Sequence, residues 1–452
     1  MRRFSAQMRY AFSWRLEHKV VTMDETRAKG LVKTIFTACV DAAHPSRILA
    51  RHLPDAPNGR IVVLAAGKAA ASMASAAFEH YTKTHGLDPA SISGVAVTRD
   101  GYAVPAGTIR VVEAGHPMPN EAGLAATQEV LELAKGAGKG DLVLALISGG
   151  GSANWLAPAK GVTLADKQAV TKALLRSGAG IGEINCVRKH LSRIKGGRLA
   201  AAARANGARL VTLAISDVPG DDPSVIASGP TVPDATTLAE ALAIVERRGI
   251  ALPESCKAAL NDPANESPKP GDPAFDGADF AIIATPAEAL ATAEKAAFAA
   301  GYPVENLGAD VEGEAREVAA EHAELALAAK ERGEKLAILS GGELTVTIRG
   351  EGRGGPNQEY ALALALALNG AEGIAALSGD TDGTDGGTGL ATDPAGAFVL
   401  PTTLKRAQEA GIDPAASLAG NDSTGFFSAI GDLYEPGPTH TNVNDCRVIL
   451  VG

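Results

Sequence analysis

From position 60 onward, short unbroken apolar runs alternate with longer alanine-rich stretches whose apolar positions recur at helical spacing. The runs predict strands at 61–65, 95–98, 109–113, 142–147, 210–215, 280–284, 336–339, 344–348, 374–377 and 448–451. The longer stretches predict helices at 69–82, 121–134, 164–177, 238–247, 286–299, 313–332 and 359–368. Strands that are apolar throughout are covered on both faces, and helix-length connections join parallel neighbours. The pattern therefore predicts an α/β chain of mainly parallel sheets: an N-terminal Rossmann-like domain with helices on both faces and a smaller C-terminal α/β domain.

Two segments break the pattern. Residues 1–23 carry Arg2, Arg3, Arg9, Arg15 and Lys19 without an apolar core of signal-peptide length. Met23 then stands directly before Asp24-Glu25 and a helical pattern through Leu31, Ile35 and Val40. The segment reads as a basic disordered arm or a misassigned start. From Asn261 to Asp276 the sequence is NDPANESPKPGDPAFD, with four prolines and no periodicity. It reads as an exposed linker at 263–277, leaving an N-terminal domain over 24–262 and a C-terminal region over 278–452.

Composition narrows the function classes. Across 452 residues, 42 Lys and Arg face 52 Asp and Glu, a formal charge of −10 that argues against nucleic acid or an anionic membrane as partner. The longest apolar tract, 361–368, has eight residues, short of the ~20 that span a bilayer. Cys39, Cys186, Cys256 and Cys446 form no CxxC and the histidines show no metal-ligand spacing, so a reducing, cytoplasmic setting is expected. The glycines cluster without a three-residue period, which excludes a collagen-like chain. The expected partner is a small molecule, with a homodimer left open.

The residues that follow the strands carry the candidate chemistry. Strand 61–65 runs into Gly67-Lys68, 142–147 into Ser148-Gly149-Gly150-Gly151-Ser152, and 210–215 into Ser216-Asp217; strands 336–339 and 374–377 run into Gly342-Glu343 and Gly379-Asp380. In open α/β sheets ligands bind beyond the carboxyl ends of strands, where such loops converge. In 148–152 three glycines let backbone N–H groups approach an oxyanion and two hydroxyls add donors; a tight strand-to-helix turn explains the same residues. Lys68 would place an ammonium at a helix N-terminus, where anions are favoured, and a solvated lysine is its plain alternative.

Farther along, five basic residues and His190 crowd the fourteen positions from Asn185 to Arg198. Arg188 and Lys195 share one helical face and Lys189 and Arg193 another; a solvated charge face explains one set and an anion-binding face the other. Asp217, Asp221, Glu343 and Asp380 offer carboxylates to Mg²⁺ or to a substrate hydroxyl, and Asx-rich turns explain the aspartates equally. The run after Asp380 is no EF-hand, because Ala391 stands where a twelfth-position Glu belongs. Arg353, on a glycine-rich approach to Pro356-Asn357 and a helix, can clamp a carboxylate or a transferring phosphoryl group.

In combination these segments resemble one family. GKAAASMA (67–74), GHPMPNEAG (115–123), LISGGGSA (146–153), NCVRKHLSRIKGGRLA (185–200) and SDVPGDDPSVIASGPTVPD (216–234) are joined by SGGELTV (340–346), RGGPNQEYALALAL (353–366), SGDTDGTDGG (378–387) and GPTHTNVND (437–445). The chain resembles the two-domain glycerate 2-kinases, which pair an N-terminal glycerate-kinase domain with a C-terminal MOFRL domain, here at about 335–445. The resemblance implies ATP- and Mg²⁺-dependent phosphorylation of D-glycerate at its C2 hydroxyl, giving 2-phosphoglycerate and ADP, with the active site in the cleft between the two domains. It puts the family's functional lysine on Lys68 and its functional arginine on Arg353.

From strand-end placement, Asp217 is assigned to orienting the C2 hydroxyl. The 148–152 nest, Arg188, Lys195, Asn357, Glu343 and Asp380 are assigned to substrate and phosphate. The Mg²⁺ ligands stay open among Asp217, Asp221, Glu343 and Asp380. Lys68 and Arg353 lie on opposite sides of the linker, so both reach the transferred group only when the cleft closes. One competing reading is an NAD(P)H-dependent hydroxypyruvate reductase, a name members of this family have carried; no GxGxxG follows a strand to support it. The other, a non-catalytic module sensing nucleotides or sugar phosphates, needs no placed Lys, Arg and Asp.

Overall fold

The chain's apolar runs are buried at every position of β1 (Ile61–Ala66) and β4 (Leu142–Ile147). The reason is visible in the period of two. Ile61, Val63 and Ala65 feed one apolar cluster with Leu142, Leu144 and Leu146, while Val62, Leu64 and Ala66 feed another with Val143, Ala145 and Ile147. With β2 (Ile92–Arg99), β3 (Arg110–Ala114), β5 (Arg209–Ile215) and β6 (Asp279–Ala284) they form a wholly parallel sheet in the order β3-β2-β1-β4-β5-β6. This is the doubly wound dinucleotide-fold order, whose direction reverses between β1 and β4. The computed structural model describes residues 24–452, so the arm or start expected over 1–23 lies outside the described residues.

The second sheet departs from the expected parallel arrangement. It comprises β7 (Val304–Asn306), β9 (Leu336–Ser340), β11 (Ile374–Asp380), β12 (Gly396–Val399), β13 (Leu433–Tyr434) and β14 (Asp445–Val451), while β8 (Gly313–Glu314) and β10 (Leu344–Thr345) form a separate short pair. In the order β13-β12-β11-β14-β9-β7 only β7 and β9 run parallel. An apolar run reports burial on both faces and carries no direction, so the pattern could not tell the two arrangements apart. β7, β12 and β13 went unseen because each has four residues or fewer. The helix expected from 313 starts at Ala315, its first two positions being taken by the β8 pairing.

The segment 263–277 is a largely exposed loop between β5 and β6, and β6 still adds to the edge of the first sheet. The chain therefore leaves that sheet only after Ala284. A proline-rich loop has the same composition whether it separates domains or two strands of one sheet. The opposite exchange occurs at the other end, where the helix Glu25–Ala42, capped by the Asp24 carboxylate, packs on β11 and β14. Its Phe36 meets Tyr434 edge to face at 5.2 Å. One apolar cluster thus runs without a break from β1 and β4 through Ile35, Phe36 and Leu290 to Leu377 and Val448 of the second sheet.

Candidate active site at the seam of the two sheets

Where the order of the first sheet reverses, the loops after β1 and β4 touch. Gly67 has φ +114°, and a side chain there would collide with the carbonyl and hydroxyl oxygens of Ser148. Contact lets Lys68 N–H donate to Gly149 O at 2.8 Å and Ala69 N–H donate to Ser148 Oγ at 2.9 Å. The Lys68 ammonium lies 2.5 Å from Asp382 Oδ2, in the turn after β11. A second tie crosses the seam from the end of β5, where Asn442 Nδ2 donates to Asp217 Oδ2 at 3.0 Å and Asn444 Nδ2 to Asp217 O at 2.8 Å. Gly149 is glycine for a reason of space: a β-carbon there would fall on the Asp217 carboxylate and the Asn442 amide.

Between the two sheets lie adjoining cavities of about 270 and 390 Å³ that share Lys68, His116, Asp380 and Gly386. Gly150, Asp217, Glu343, Asp385 and Asp445 complete the first; Arg99, Asp382 and Thr384 complete the second. A larger cavity, about 640 Å³, lies along 158–164 and Arg193 and meets none of the strand-end residues, so size does not pick out the site here.

Six carboxylates line the paired cavities against the two cations Lys68 and Arg99. Burial alone would lower the Lys68 pKa, but the carboxylates of Asp382, Asp380 and Asp217 outweigh it, so the ammonium stays charged. Burial, helped by the charges of Lys68 and Arg99, pushes His116 down to about 3 and keeps its imidazole neutral. Asp217 is raised by burial, and Asp380 is raised well above the carboxylate range by burial and by Asp382 beside it. Oxygen donors with surplus negative charge suit a divalent cation. Among the described residues no three acidic, histidine or cysteine side chains converge into a cage for a metal. A divalent cation bound here would therefore keep waters and draw part of its coordination from a ligand.

The structure brings Lys68, Gly150, Asp217, Glu343 and Asp380 together around one space. Ser148 and Gly149 lie behind the lining, accepting from the Ala69 and Lys68 N–H groups, and Gly151 packs beneath, its α-carbon facing Ala227 and the Ala66 carbonyl. Ser152 turns to Arg188 and Lys195 instead. Asn357 is buried under the cavity, its amide donating to Asp445 Oδ1 at 2.6 Å and Asp385 Oδ1 at 3.2 Å and its carbonyl accepting from Ser378 Oγ. It holds the lining carboxylates and does not itself line the cavity. Asp221 is outside the lining, in a left-handed turn with φ +53°. Arg353 is exposed, two residues before Gly355, which packs on Asp385.

Sequence reasoning missed several residues. His116 followed a noted strand end but had no charged neighbour to mark it. Asp382 and Asp385 were visible as a carboxylate run without positions being assigned. Arg99, Asn442, Asn444 and Asp445 become site residues only through the meeting of two sheets, which nothing local in the sequence records.

Comparison with known proteins agrees with this architecture. The family model described as a domain of unknown function, DUF4147, matches residues 31–261, and the MOFRL family model matches 336–445. A protein of Agrobacterium vitis provisionally named a hydroxypyruvate reductase is 50% identical, over 96% of both chains. The D-glycerate 2-kinase of Thermotoga maritima is 39% identical over 95% of this chain and 99% of that one. A crystal structure of glycerate kinase from Thermotoga maritima superposes with a TM-score of 0.82 at 38% identity, covering 95% of this chain and all of that one. The reversal-point loops, the second sheet that closes over them and these two matched regions make the chain a member of the two-domain DUF4147–MOFRL family, the family of the glycerate 2-kinases.

Proposed function

We propose that the chain is a glycerate 2-kinase, transferring the γ-phosphoryl group of ATP to the C2 hydroxyl of D-glycerate and releasing ADP and 2-phosphoglycerate. The observation that carries this reading is the convergence of a charged lysine, an aspartate of raised pKa and further carboxylates at the reversal point of the first sheet. Phosphoryl transfer asks a protein chiefly to position reactants and balance charge. Lys68 stabilises charge on the transferring group, and Asp217, pinned by Asn442, orients the hydroxyl and accepts its proton. Asp380 and Glu343 would give one or two ligands to Mg²⁺ arriving with the phosphates, water filling its remaining positions, and the ion would supply charge neutralisation at the phosphates. Arg353 reaches in from the rim. The four cysteines are free and buried, which supports a reducing, cytoplasmic setting. The division into 24–262, a linker and 278–452 stands in this proposal as a division of sequence, with β6 crossing it.

The reductase name of the Agrobacterium relative is the competing reading. The first sheet has the dinucleotide order, but Gly67-Lys68 replaces a glycine fingerprint after β1. The end of β2 presents Arg99, already bonded to Thr384 and Gly389 O. The experiment pairs two assays: ADP release with D-glycerate, its product identified by phosphorus NMR as the 2-phosphate, and NADH or NADPH consumption with hydroxypyruvate. Activity in the second alone overturns the proposal.

A further inference from the structure

Among the described residues, a group of cations beside the seam has no counter-charge. Lys195 is only 1% exposed, and its ammonium donates to Ser152 O at 2.8 Å, Ser152 Oγ at 3.0 Å and Ala227 O at 3.5 Å. Arg188 donates to the same Ser152 Oγ at 2.8 Å, and Lys167, also buried, donates to Leu191 O at 2.9 Å. Every one of these partners is neutral. Lys189, next along the chain, shows the ordinary arrangement, with Asp234 at 3.3 Å. A buried charge without a partner is expensive and is normally neutralised by an opposite charge or by loss of its proton. In line with that, burial lowers the Lys195 pKa well below the usual lysine range, and Arg188 and Lys167 add to the effect.

The backbone around the group is built to hold it. Ala227 and Ser228 both adopt left-handed φ angles, +50° and +64°, which non-glycine residues rarely take. That turn presents the Ala227 carbonyl to Lys195 and brings the Ser228 hydroxyl to 2.8 Å from Ser152 Oγ. Ser152 and Arg188 are part-exposed while Lys195 lies beneath them. An anion arriving at Ser152 would find the Arg188 guanidinium beside it and, below, the Lys195 amine, whose protonated form its charge would favour.

We propose that Arg188, Lys195 and Ser152 form the seat for the carboxylate of the three-carbon acid, selecting acids over neutral polyols. The assignment rests on the kinase reading above. Two observations favour the carboxylate over a nucleotide phosphate. Gly149 of the same turn touches Asp217 and Gly150 lines the cavity, so the seat adjoins the residue that orients the acceptor hydroxyl, and the carboxyl carbon of glycerate is bonded directly to C2. The six-carboxylate lining would repel an unescorted carboxylate, whereas nucleotide phosphates enter with a divalent cation.

Calorimetric titration of the full chain with D-glycerate, glycerol and ADP, the acid with and without ADP present, tests the seat directly. The unsubstituted chain should bind D-glycerate and not glycerol. Arg188→Gln should weaken the acid by about tenfold or more, the usual weight of a charge-assisted contact, and leave ADP unchanged. Arg188→Lys should recover part of the loss and guards against misfolding of the first variant. Unchanged glycerate affinity in Arg188→Gln, equal weakening of ADP, or no glycerate binding by the unsubstituted chain would overturn the seat. Glycerate binding that depends on Arg188 in a chain that releases no ADP supports the seat and overturns only the kinase reading.

Discussion

Lys68 and Asp382 meet at 2.5 Å although they come from different sheets, one at the end of β1 and the other in the turn after β11. The pair sets the position of an ammonium that burial alone would discharge. Lys68→Met should therefore lower kcat by about a hundredfold or more, the usual scale for a lost electrostatic stabiliser. Asp382→Asn should cost less, because the ammonium remains but loses its anchor. The double variant should be no slower than Lys68→Met alone, since the aspartate acts through the lysine. Steady-state rates for the three variants decide it; additive losses would mean that Asp382 acts on the substrate separately.

The centre of the first sheet was legible in the sequence because β1 and β4 are unbroken apolar runs of six residues that end in glycine-rich polar loops. Lys68, Asp217 and Asp380 were legible for the same reason: each stands just past a strand. What escaped was whatever depends on two distant segments meeting. Asn357 opens a helix next to Arg353 and read as a ligand residue, but its amide is consumed by Asp385 and Asp445. Arg188 and Lys195 were paired by a helical spacing that the chain does not keep, since the helix ends at His190; their shared partner Ser152 brings them together and is a fact of packing.

The close approach of Gly149 to Asp217 gives a second test. Gly149→Ala would push a methyl group against the Asp217 carboxylate and the Asn442 amide, and overpacking of this kind typically costs about 1–3 kcal/mol. The displaced aspartate should lower kcat by about tenfold or more, since small misplacements of a reacting group are costly. Melting temperature and kcat measured together separate the two effects. A normal kcat in a destabilised variant would remove Asp217 from the reaction.

Away from the site, His322 is buried against Tyr360, with its Nδ1 2.8 Å from the phenol oxygen, and burial together with Arg447 pushes its pKa down from 6.5 to about 4. The unfolded chain takes up this proton near pH 6.5, whereas the folded chain resists until about pH 4. Stability from this group is therefore complete above pH 6.5 and is lost as pH falls toward 4, by ~3 kcal/mol over the window. His322→Gln should flatten the fall in melting temperature between pH 7 and 4.5 relative to the unsubstituted chain. Parallel curves would show that His322 titrates normally.

Arg353 raises the question of what moves. Lys68 with Asp382, Arg99 with Thr384, and Asp217 with Asn442 already join the sheets, and one apolar cluster runs through both. Swinging the sheets apart would break these ties and expose that cluster, so a large rigid-body closure is disfavoured. The Arg353 backbone is tied to the 420–424 segment by Gly352 N–H to Gly420 O, Arg353 N–H to Asp422 Oδ1 and Thr424 N–H to Arg353 O, while its side chain is exposed and can swing without disturbing either sheet. Nucleotide and D-glycerate together should protect amide hydrogens over 349–355 from exchange while leaving the radius of gyration unchanged. Arg353→Ala should lose that protection and about a hundredfold in kcat while keeping nucleotide affinity, because the arginine acts on charge that develops in the transition state. Compaction of the whole molecule with both ligands bound would instead show that the seam opens and closes, with the interdomain ties broken and remade in each turnover.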